Sequence, residues 1–280
     1  MKELKSKLDA LVERFNTLAF IDNDPVKFPR MFTDRQDIEV AAFLCALIAW
    51  GNRKQILNGC QKMLFDIMEG QPYDFVMGDG WRTIDPEINI HRTFFGRDLQ
   101  YMCKGLQWAF NVSNEWDSLE FAFAGQPDMW KGIETLRSLF IHANDGKPSK
   151  HLSNPAINRH KGGSACKRFN LMLRWLVRAD GIVDIGIWHD VKPSSLFIPL
   201  DVHVGRIGRE LGLLARKQDD RLAVEELTDK LRDFDIQDPC KYDFALFGYG
   251  ESLKHKQPRK KHSISSTIIM PGMTRNCKMF

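Results

Sequence analysis

From Asp37 to Trp50 the chain reads DIEVAAFLCALIAW, apolar on nearly every face once its first turn is passed. A helix with that pattern must be enclosed by protein on all sides. The rest of the chain therefore has to supply a shell around one central helix. Gly51 ends the run as a C′ glycine does.

The shell reads as helical too. Leu4, Leu8, Leu11, Phe15 and Leu18 form one amphipathic stripe, which Pro25 and Pro29 interrupt between Asn23 and Arg30. Further helices are expected over Arg53–Met68, Asp98–Phe110, a short stretch after Trp116, and Pro127–His142, with a looser region from Gln71 to Arg97. A long Pro/Asn/Lys/Gly loop from His142 to Ser164 exceeds ordinary connection lengths. Beyond it, helices are expected at Ser164–Arg178, Asp201–Leu214 and Asp220–Phe234, and a last one opened by Asp238-Pro239 ends near Gly248. Alternating Val/Ile runs are almost absent, so no sheet is expected and the fold class is all-α. The organisation read from this is an N-terminal helix and linker (1–36), a helical core (37–250) and a basic, disordered tail (251–280).

The net charge of +4 is a property of that tail, which carries seven Lys/Arg against Glu251; residues 1–250 sum to −2. Within the core, Gly146–Ala179 holds eight Lys/Arg and no carboxylate. Such a stretch is either a seat for a polyanion or a solvated loop. No apolar run reaches the ~20 residues of a membrane span, and the mixed-charge start MKELKSKLDALVERF is not a targeting signal. A cytoplasmic, nucleoid-associated protein without membrane contact is expected. The six cysteines are scattered with no C-x-x-C pair, and there is no H-x-x-x-H or H-E-x-x-H run. They read as buried thiols, and neither a metal site nor an iron–sulfur cluster nor any other cofactor is expected.

Chemistry is concentrated in two places. Gly162-Gly163-Ser164 reads as a tight turn with Ser164 as N-cap of the next helix, a natural phosphate seat. Lys167 then falls in that helix's first turn, where the macrodipole repels a cation and Arg168 adds like charge. Both effects favour the free amine that imine chemistry uses; the other reading is a phosphate-contacting or exposed lysine. Asp201, after Pro199-Leu200, reads as N-cap of the helix that follows.

The order of Lys167 in GGSACKRFN and Asp201 in PLDVHVGRIGRELGLL resembles the helix-hairpin-helix base-excision DNA glycosylases, which carry a hairpin lysine followed by a Pro-x-Asp-x-His segment. The 34-residue separation is most similar to the archaeal 8-oxoguanine glycosylase branch. The SACKR, LRW, PLD-x-H and YDFALFG patterns resemble an uncharacterised bacterial family within the superfamily. Two departures stand out: the iron–sulfur cysteines of some members are absent, and His160-Lys161-Gly162-Gly163 replaces the usual hydrophobic-Pro-Gly-x-Gly hairpin.

The resemblance implies two helical lobes with a cleft between them and damaged duplex DNA as partner. It implies a glycosylase/lyase that excises an oxidised purine, with Lys167 attacking C1′ and Asp201 stabilising the oxocarbenium charge. Phosphates would meet Lys161, Gly162, Gly163, Ser164 and Arg168. Asn52, with Arg53, would fill the space left by the extruded base, and His203 would either bond within the site or be structural. Trp50, Trp175 and Trp188 are candidates for the base pocket or for the core. Arg206 and Arg209 either meet phosphate or pair with acids such as Glu210, and Asp243 is either a helix-internal contact or functional. The alternative is a non-catalytic DNA- or RNA-binding module with the same fold.

Overall fold

The structure, a computed structural model, describes residues 1–158 and 162–256, with side chains through residue 250. Its helices are α1 (Lys2–Phe15), α2 (Leu18–Ile21), α3 (Arg35–Leu47), α4 (Arg53–Gln61), α5 (Pro72–Met77), α6 (Gly96–Ser113), α7 (Met129–Ala143), α8 (Lys167–Val177), α9 (Val202–Glu210), α10 (Arg221–Arg232) and α11 (Tyr242–Lys256). Among the described residues the fold is all-α apart from one small antiparallel hairpin, β1 (Asn89–His91) with β2 (Phe94–Phe95), paired as Asn89↔Phe95 and His91↔Phe94.

Helix α3 is the central one, with every side chain from Ile38 to Leu47 buried. Helix α8 packs along it, and Phe43 meets Phe169 of α8 and Phe140 of α7 at ring separations of 6.3 and 5.0 Å. One acid is buried in this helix. Glu39 accepts from the Ser118 hydroxyl (2.5 Å), the Leu119 amide (2.7 Å) and the Trp188 indole (2.8 Å), so its desolvation is offset by three donors. Helices α6 and α7 lie face to face; a Cβ at Gly105 would overlap the Phe140 ring, so glycine sets how closely they approach.

Helix α1 packs along α11, which also lies against α9. The expected N-terminal stripe stops one residue short, because the helix ends at Phe15 and Leu18 is exposed. Several other boundaries differ. The Arg53–Met68 helix becomes a π-helical stretch at Lys62–Ile67. Helix α9 ends at Glu210 because Gly212 turns left-handed (φ 71°) and the Leu213 amide returns to the Gly208 carbonyl. Helix α11 runs past Gly248 to Lys256. The expected tail (251–280) thus begins within this helix, and its part beyond residue 256 lies outside the described residues. Cys45, Cys60, Cys103, Cys166 and Cys240 are buried free thiols. No helix among the described residues is long and apolar enough to cross a membrane.

Candidate active site

Helix α8 does not start where its sequence suggests. Ser164 is not the N-cap: its hydroxyl accepts from the Cys166 amide (3.2 Å), its own amide donates to Asn154 O (3.0 Å), and it bridges to Asp220. Cys166 is the N-cap, in left-handed conformation (φ 45°, ψ 37°), so Lys167 is the first helical residue. The shift turns the opening of α8 toward the end of α3, and the Lys167 amine reaches Ala49 O at 3.4 Å.

Asp201 caps α9 as expected. Its Oδ1 accepts from the His203 and Val204 amides, both at 2.9 Å. That leaves Oδ2 for Lys167 Nζ, 3.0 Å away. The two side chains come together, each about one-third exposed (31% and 36%). Burial works against the Asp201 carboxylate, but the Lys167 charge and the Val204 amide outweigh it and hold the carboxyl below its ordinary range. One residue therefore both starts a helix and presents an ionised oxygen to the lysine.

The pair opens onto a pocket of about 570 Å³ walled by the start of α4, by α8, α9 and α11, and by the Asp24-Pro25 turn. Phe20 meets Phe244 and Phe247 edge-on at 5.3 and 5.7 Å, and the Arg53 guanidinium lies 5.1 Å over the Phe247 ring. Trp50 lines the pocket, and its indole N–H has no partner among the described residues. His203 lines it too, with Nε2 unpartnered among the described residues. Arg174, further along α8 from Lys167, forms one short ion pair with Asp243 and another of 3.2 Å with buried Asp184. Burial pushes Asp243 and Asp24 up, against the opposing charge of Arg174.

A second pocket of about 480 Å³ lies on the other side of Lys167, bordered by Trp50, Thr93, Lys150, His151 and Ser153. Lysine 167 thus stands in the wall between two openings.

The remaining expected residues are placed as follows. Asn52 is exposed at the rim, where its side chain caps α4 by accepting from the Gln55 amide (3.3 Å). Gly162 and Gly163 pack toward Asp220 and Pro155, Gly163 with φ 77°. Arg168 turns inward, donating to Leu47 O (3.0 Å) and Ser153 Oγ (3.4 Å). Lys161 lies outside the described residues. Trp175 and Trp188 are core residues, at most 1% exposed. Arg209 pairs with Asp219 (2.7 Å) and Arg206 faces Glu210 at 3.8 Å.

The model of a family described as "Protein of unknown function (DUF2400)" matches residues 24–252. The chain belongs to DUF2400. No curated protein and no solved structure compared with it matches. The span shared with DUF2400 begins at Asp24 and takes in every residue discussed at the two pockets except Phe20.

Sequence reasoning missed Asp24, Phe20, Phe247 and Arg174 as pocket residues. A signal existed for two of them. Arg174 falls seven residues after Lys167, two turns along the same helix face, and Phe247 four after Asp243.

Proposed function

We propose that the chain is a DNA glycosylase/AP lyase that excises an oxidised, 8-oxoguanine-like purine through a Lys167 imine. The observation that carries this reading is the 3.0 Å Lys167–Asp201 pair opening onto an aromatic-walled pocket of about 570 Å³, with room for an extruded base. Lys167 Nζ is the nucleophile for C1′, and the ionised Asp201 oxygen stabilises positive charge on the sugar and takes a proton from the amine. The extruded base enters the pocket among Phe20, Phe247 and Trp50. Oxidation at C8 adds a carbonyl acceptor and a ring N–H donor to guanine. The Asp243 carboxylate beside Arg174, in the pocket wall, supplies an acceptor for that N–H. The helix-hairpin-helix arrangement with two lobes and a cleft, duplex DNA as partner, and a place with the nucleoid belong to the same proposal.

The test is trapping. Borohydride should reduce the imine and freeze a covalent adduct between the chain and a duplex carrying 8-oxoguanine or an abasic site. Lys167→Gln should abolish the adduct and strand cleavage while duplex binding persists. No adduct from the unsubstituted chain on any such duplex, with salt-sensitive binding retained, would leave a non-catalytic binding module. Loss of binding together with cleavage would make Lys167 a phosphate anchor.

A further inference from the structure

Among the described residues three carboxylates face the pocket, and their surroundings separate them. Asp201 is held ionised by Lys167 and two amides. Asp243 has its own guanidinium, Arg174. Asp24 is different. It stands at the start of the Pro25–Lys27 3-10 turn, and among the described residues its carboxylate accepts one hydrogen bond, from the Val26 amide at 3.1 Å. Pro25 follows immediately, so the turn can offer it no amide at that position.

Resting on the glycosylase reading above, we propose that Asp24 is the acid that protonates the departing purine. It lies in the wall of the cavity that holds Lys167 and Asp201, so a base there shares one cavity with the nucleophile and with Asp24. As Lys167 Nζ bonds to C1′, the C1′–N9 bond breaks and its electron pair goes to the base. The Asp24 O–H bond breaks, and its proton goes to the purine, which leaves neutral. Of the two protons shed by the lysine nitrogen, one passes to Asp201 and one to solvent. Asp24, left as carboxylate, is reprotonated from water through the open pocket. An acid beside a carboxylate base, set apart by their environments, is a recurring division of labour.

The charged and titratable groups facing Asp24 are Arg53 from α4, Lys167 and Arg174 from α8, and the buried, neutral Cys45 thiol of α3, with Asp201 and Asp243 in the same pocket. Burial pushes the Asp24 carboxyl up, and the Val26 amide and the three cations only partly oppose it. The acid form therefore persists above the ordinary carboxylate range and is lost as pH rises through the elevated value. Base release should fall along the same limb.

The experiment measures two steps in the full chain against pH: release of the base from an 8-oxoguanine duplex, and borohydride adduct formation on an abasic duplex, where no base departs. Asp24→Asn should slow base release about 100-fold or more, the scale of general acid catalysis. It should also remove the alkaline limb, while adduct formation on the abasic duplex falls far less. Asp24→Glu keeps an acid and should retain the limb. Equal losses at both steps in Asp24→Asn, or base release that is unchanged, would overturn the role of Asp24. An unsubstituted chain that gives neither base release nor adduct would overturn the underlying glycosylase reading instead.

Discussion

Asp201 divides its two oxygens between capping α9 and facing Lys167, and the two can be separated by substitution. Asparagine is as good an N-cap as aspartate because its carbonyl oxygen accepts the same amide bonds. Asp201→Asn should therefore leave stability within about 0.5 kcal/mol, since only the partly exposed pairing with Lys167 is lost. Adduct formation should fall at least about 100-fold, because the sugar loses its counter-charge. Asp201→Ala should lose the adduct and also about 1 kcal/mol of stability with the cap. Urea unfolding and trapping, run on both variants, distinguish the cases; equal unfolding midpoints for Asn and Ala would mean that the cap matters little. At this scale the sequence was informative: two residues 34 apart, each odd or ordinary alone, meet at 3.0 Å. Asp24 was not legible, because its meaning depends on which neighbours burial brings to it, and a carboxylate in an Asn/Asp/Pro turn looks like any turn former.

At the scale of elements, the existence of the longer helices was readable and helix ends were not, while short α5 lies in the stretch read as loose. Periodicity marks a buried face, but ends are decided by local conformations that tertiary contacts select, such as left-handed Cys166 ahead of α8. The tiny hairpin escaped notice because strands of three and two residues leave no alternation to detect. Gly248 is the clearest case. Sequence reads it as the end of the last helix, yet α11 continues to Lys256, and a Cβ at Gly248 would overlap the Phe15 ring of α1. That glycine serves close packing rather than termination. In an exposed helix interior, Gly→Ala would stabilise by about 1 kcal/mol. Here Gly248→Ala should instead destabilise by about 1–3 kcal/mol, the cost of overpacking. Pairing it with Phe15→Leu, which removes the ring, should recover part of the loss in urea unfolding. A stabilised single variant would mean that α1 yields freely.

At the scale of the whole molecule, charge counted along the chain overstates the cationic surface. Of the eight cations between Gly146 and Ala179, Arg174 and Arg178 are buried in ion pairs with Asp184, and Arg168 donates inward to Leu47 and Ser153. Lys167 faces Asp201, and Arg159 and Lys161 lie outside the described residues. Lys147 and Lys150 remain exposed, and Lys150 borders the second pocket beside Lys167. With residues 1–250 at −2, the body carries no net positive charge, so the duplex binding proposed above would rest on where its exposed cations stand. If a duplex lies across that pocket, Lys150 meets phosphate, and each such contact releases a counterion. Lys150→Ala should weaken duplex binding at every sequence alike and lower the salt slope by about 1. Adduct formation at saturating duplex should stay near that of the unsubstituted chain, because Lys150 borders the second pocket and does not line the one that holds Asp201. Binding isotherms across a salt series check the first expectation and trapping checks the second. An unchanged slope would show that the duplex approaches from another face, and the exposed Arg53, Lys54 and Arg92 around Gly51 would then be the cations to test.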